Sequence, residues 1–141
     1  MENMEEMKKL VLIIAMSFVL ISAKAQLRTS TIYKKRNLVM MLHVNIESND
    51  SSYFVASRDL KYYSVVDYVK IASGDKEEVK ETLLFYKGVI KSGEGYSDQL
   101  GEFYAMYSRN AKQTAYISNK GDSGYTYINI NAIDKLLEII E

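Results

Sequence analysis

Apolar positions first gather into one run free of charge, Leu10 to Ala23, preceded by Lys8 and Lys9. Beyond it the pattern changes to alternation. Leu38, Met40, Leu42, Val44 and Ile46 recur at every second position, with Val39, Met41, His43 and Asn45 between them. That period-two stripe predicts a half-buried strand. Ser48-Asn49-Asp50-Ser51 reads as the turn of a hairpin whose second strand starts at Tyr53. Tyr62 to Ile71 fits a strand or a helical stripe, and its clustered valines and tyrosines favour the strand.

Two segments carry helical spacing instead. Val79, Leu83, Tyr86 and Ile90 recur every three or four residues. Asp75 stands at the N-cap, with glutamates in the first turn and Lys87 and Lys91 near the end. Ser92 to Asp98 reads as the exit loop of this helix. Phe103–Ser108 and Gln113–Ser118 read as a hairpin, followed by a strand from Tyr125 to Ile130. Asn131 is the expected cap of a last helix, with Ile133, Leu136, Leu137 and Ile140 on one face.

The predicted order is β-β-β-α-β-β-β-α. Short turns imply antiparallel pairing, and two amphipathic helices need an apolar surface to cover. The expected fold is therefore α+β: a single antiparallel sheet of about six strands with both helices on one face. The stripe Leu38 to Ile46 is expected to meet Val79, Leu83, Tyr86 or Ile90.

The run Leu10–Ala23 changes the domain picture. A membrane span needs about 20 apolar residues, and this run is shorter. Positive residues before it and Ala23-Lys24-Ala25 after it match a secretory signal, with cleavage expected between Ala25 and Gln26. Residues 1–25 are thus read as a removed signal, and 26–141 as a single domain in the periplasm or outside the cell, with no membrane span. The chain contains no cysteine. A small exported domain without disulfides points to a bacterial envelope or secreted protein, and thiolate chemistry is excluded.

Charge narrows the partners. Lys and Arg number 18 against 18 Asp and Glu, so the basic excess that recruits nucleic acid is missing. Lys34-Lys35-Arg36, at the expected start of a strand, is the one basic cluster.

Candidate chemistry is sparse. Gly121-Asp122-Ser123-Gly124 resembles the segment around the nucleophile of chymotrypsin-like proteases. Tyr125 replaces that family's next glycine, however, and the fold of that family is far larger, so the segment reads as turn chemistry. His43 is the single histidine. A small hydrolase or isomerase built on it would have to recruit Asn45, Arg58, Asp67 or Arg109. No metal-ligand spacing and no phosphate loop occur, so no metal or cofactor is expected.

Tyrosine, present 12 times, has the widest functional reach. Tyr125 and Tyr127 share a strand face opposite Ile128 and Ile130, and Tyr53, Tyr62, Tyr68 and Tyr104 are expected on the same outer surface. Such a platform suits a protein, a peptide, a glycan or a second copy of the chain pairing as a homodimer. The sequence therefore favours a non-enzymatic binding module, with the His43 enzyme and an edge-strand structural subunit as alternatives.

Overall fold

The computed structural model describes residues 4–9, 27–61, 67–121 and 124–141. Residues 4–9 are helical. The expected signal core and cleavage residues Ala23, Ala25 and Gln26, together with Tyr62, lie outside the described residues.

Four strands, β1 (Leu27–Lys35), β2 (Leu38–Asn45), β3 (Ser51–Arg58) and β4 (Tyr68–Gly74), precede helix α1 (Lys76–Ser92). Four more, β5 (Ser97–Leu100), β6 (Phe103–Tyr107), β7 (Thr114–Asn119) and β8 (Thr126–Asn129), precede helix α2 (Ile130–Ile140). The chain is α+β with antiparallel pairing throughout, but the expected single sheet is two four-stranded meanders, β1-β2-β3-β4 and β5-β6-β7-β8. The order is ββββα repeated.

The two additional strands are edge strands with little apolar content. β1 is mostly exposed and is held through its ladder with β2, including a bulge between Thr31 and Tyr33. Lys34 and Lys35 end this strand, and Arg36, at φ 53°, makes the hairpin turn, so the basic cluster closes a strand. β5 forms within what reads as an exit loop; its Ser97 and Gln99 lie opposite Met106 and Tyr104.

Helix α1 begins where the sequence places it. The Asp75 carboxylate accepts from the Glu78 N–H at 2.9 Å, and Glu78 Oε2 accepts from the Asp75 N–H at 2.8 Å. This capping box satisfies two of the orphan donors of the first turn. Gly93, at φ 82°, ends the helix with its N–H directed at the Val89 and Ile90 carbonyls. The cap of α2 is Asn129, whose side chain accepts from the Ala132 N–H at 2.8 Å. Asn131 lies inside the helix instead, because α2 starts directly from the end of β8.

Inner faces of both sheets and the apolar stripes of both helices merge into one core. Helix α1 lies across the seam, packing on β3 and β4 on one side and β5, β6 and β7 on the other, and against α2. Tyr86 is fully buried at the centre and donates its hydroxyl to the Ile71 carbonyl, tying α1 to β4. Burial, together with the Glu102 carboxylate, pushes its phenol pKa well up. Of the long β2 stripe, Leu38 and Met40 reach this core, whereas Leu42 and Val44 are half-buried and Ile46 is exposed. The strand outruns the helix, which sits over β3 and β4 and leaves the far end of β2 uncovered.

Between the sheets the seam is closed by polar contacts. Asn119 Nδ2 donates to the Lys70 carbonyl at 2.8 Å, and Lys70 Nζ pairs with Glu102 Oε1 at 2.8 Å. The Leu60 N–H donates to the Tyr125 carbonyl at 2.9 Å. Asp59, only 6% exposed, accepts from the Lys61 N–H at 2.9 Å and the Tyr125 N–H at 3.2 Å. A β-carbon at Gly124 would overlap the Asp59 carboxylate. The glycine that closes the Gly-Asp-Ser-Gly segment therefore makes room for a buried acid; Asp122 and Ser123 lie outside the described residues.

Candidate functional site

Side chains alternate across a strand, so Phe103, Ala105, Ala115, Ile117 and Ile128, which enter the core, assign their neighbours to the opposite, helix-free face. Register then fixes which neighbours meet. Met106 pairs with Tyr116, Tyr116 pairs with Tyr127, and Tyr104 pairs with Ser118. Tyr125 enters the same group from just before β8.

Three rings lock against one another. Tyr116 and Tyr125 stack with centroids 5.3 Å apart, while Tyr127 meets Tyr116 at 5.8 Å and Tyr125 at 5.9 Å edge-on. Offset and edge-to-face geometry of this kind satisfies the ring quadrupoles, each contact contributing about 0.5 to 1.5 kcal/mol. Tyr116 sits in the middle. Desolvation within the cluster raises its phenol pKa, with Tyr127, Tyr125 and Tyr104 adding to the rise and a hydrogen bond with Ser118 opposing it. The rim stays open: Tyr127 is 37% and Met106 39% exposed.

The other expected platform residues divide. Tyr68 is 46% exposed on the outer face of the first sheet, cross-strand from Arg58, and so belongs to a different sheet from Tyr125 and Tyr127. Tyr53 lies cross-strand from Leu42, shares the phase of buried Val55, and packs against the core from the helix side. It is not part of the outer surface. Tyr116 and Met106 join the face through the register of the short hairpin between β6 and β7, a relation that alternation within one strand does not reveal.

His43 is half-buried on β2, and its Nδ1 is 2.8 Å from Thr29 Oγ1 on β1. Two of the four side chains named as its helpers hold neighbouring backbone N–H groups instead. Asn45 Oδ1 accepts from the Glu47 and Ser48 N–H groups, and Asp67 Oδ1 accepts from the Tyr68 N–H. Arg58 is on β3, and Arg109 lies in the β6–β7 turn of the other sheet. Among the described residues no three His, Asp or Glu side chains gather as a metal site requires. No described helix is long and apolar enough to cross a membrane.

No family model matches the chain, and neither does any curated protein or solved structure.

Proposed function

We propose that the chain is an exported bacterial protein, processed to residues 26–141 in the periplasm or outside the cell. There it acts as a non-enzymatic interaction module through the outer face of its second sheet. The observation that carries the reading is the packed trio Tyr116, Tyr125 and Tyr127 on a face over which no described helix packs, bordered by Tyr104 and exposed Met106. Tyrosine and methionine are enriched where protein surfaces meet, because they bring large contact area and tyrosine keeps a polar rim. Rings already packed against each other lose less rotamer freedom on binding than isolated ones would.

A polypeptide partner suits this face better than a glycan. A sugar ring stacks on a free flat face, and here the rings spend their faces and edges on one another. The test compares the mature protein with its Tyr104→Ser/Tyr127→Ser variant in capture from envelope extract, alongside sedimentation of the purified protein. A polypeptide retained by the parent and lost by the folded variant is the expected result. Loss of self-association in the variant would identify the partner as a second copy. Equal capture by both proteins would remove the reading. Amino-terminal sequencing of the exported product should begin at Gln26.

A further inference from the structure

Beside the tyrosine face, and sharing Tyr127 with it, a cleft of about 530 Å³ opens between the β1–β2 hairpin, the end of β3, strand β8 and the first turns of α2. Its charge is one-sided. Lys35, Arg36 and Lys135 line it, and no Asp or Glu does among the described residues. Among the described residues neither Lys35 nor Arg36 forms an ion pair, and Lys135 has only an exposed contact to Glu138 at 3.4 Å. In a chain of zero net charge, three cations around an acid-free hollow concentrate positive potential where a ligand would enter.

One wall of the cleft is backbone. Among the described residues β8 pairs with β7 alone, so its other side is an edge with no described strand beside it. The direction of its polar groups follows from the bonds at its two ends. The Ile130 N–H donates to the Gln113 carbonyl on the β7 side, while Tyr125 turns both its N–H and its C=O the other way, to Asp59 and Leu60. Alternation along an antiparallel strand then turns the N–H and C=O of Tyr127 and the N–H of Asn129 into the cleft. The β3–β4 loop therefore already caps the edge at Tyr125, and the next positions along the same edge face the hollow without a described backbone partner. Leu38 and Ile128 supply an apolar floor beneath them.

We propose that this cleft docks an extended, carboxylate-bearing peptide segment, which adds a strand to β8 at Tyr127 and Asn129 and places its acids against Lys35, Arg36 and Lys135. Backbone bonding gives such strand addition its affinity, and the side-chain surroundings give it selectivity. Here the selection is for negative charge. Tyr127 gives its ring to the tyrosine face and its backbone to this cleft, so the cleft is tested through Arg36 and Lys135, which the tyrosine face does not use.

The experiment titrates the ¹⁵N-labelled mature protein with an acetylated hexapeptide of alternating valine and glutamate. Parallel titrations use the glutamine version, a version N-methylated at alternate residues, and free glutamate. The acidic peptide should shift the Tyr127 and Asn129 amides and slow hydrogen exchange at Tyr127. The glutamine and N-methylated versions should bind at least about tenfold more weakly, as should the acidic peptide to an Arg36→Gln/Lys135→Gln variant that keeps the parent spectrum elsewhere. Unmoved Tyr127 and Asn129 amides at saturating peptide would overturn the proposal. So would equal binding of the glutamine peptide, or an equal response to free glutamate.

Discussion

Replacing Gly124 with alanine should cost more than any other single methyl group added at a described glycine with ordinary φ. Its φ lies outside the left-handed region, unlike Gly74, Gly93, Gly95 and Gly101, so the backbone itself accepts alanine. The obstacle is the Asp59 carboxylate, which occupies the place of the new β-carbon. Asp59 is 6% exposed and holds two backbone N–H groups, those of Lys61 and Tyr125. Pushing it aside weakens charge-assisted bonds worth about 1.5 to 3 kcal/mol each. Reduced freedom of the unfolded chain returns about 0.4 to 1 kcal/mol. The net loss should be about 2 to 3 kcal/mol, read as a fall of about 1 to 2 M in the urea midpoint. Far-UV circular dichroism is the suitable probe, since the chain has no tryptophan. Asp59→Ala removes the same two bonds, so the double variant should cost about 1 to 2 kcal/mol less than the sum of the singles. A Gly124→Ala midpoint close to that of the parent, or strictly additive losses, would refute the argument.

Met40 is fully buried and Leu42 is half-buried, so Met40→Ala should cost about 2 to 5 kcal/mol in urea unfolding and Leu42→Ala clearly less; equal losses would contradict the overhang of β2. Asp75→Ala removes half of a capping box and should cost about 1 kcal/mol, with Asp75→Ser recovering most of it in the same assay. The phenols of Tyr86 and Tyr116 are raised in the fold, so the folded state keeps protons that the unfolded state releases above about pH 10. Stability from these groups should be level below that pH and fall as pH rises past it. In ultraviolet titration of the folded protein, these two tyrosines should ionise after the exposed ones.

Those elements that announced themselves in the sequence are the ones whose signal is local. Helix α1 carries its apolar stripe, its acidic first turn and its Asp75 cap within one segment, and each agrees with the others. β1 and β5 carry no such stripe. An edge strand is held by backbone bonding to a neighbour, which leaves no period-two record in its side chains. The division into two sheets was equally silent, because it depends on which strand edges remain unpaired after β4 and before β5. Tyr53 shows the limit from another side: its phase with Val55 was readable, but tyrosine serves an inner face as well as an outer one. The tyrosine trio was half legible. Tyr125 and Tyr127 share a face by simple alternation, whereas Tyr116 joins them only through the β7–β8 register.

The use of the outer tyrosine face as a binding surface is tested most directly by site-specific photo-crosslinking in the living cell. A benzophenone amino acid would replace Met106, which is exposed within the patch, and in a separate protein Glu81, exposed on α1. Irradiation should give a discrete higher-mass adduct from position 106, removed by Tyr104→Ser/Tyr127→Ser in the same chain, and none from position 81. Absence of any adduct at 106, or the same adducts from both positions, would contradict the account.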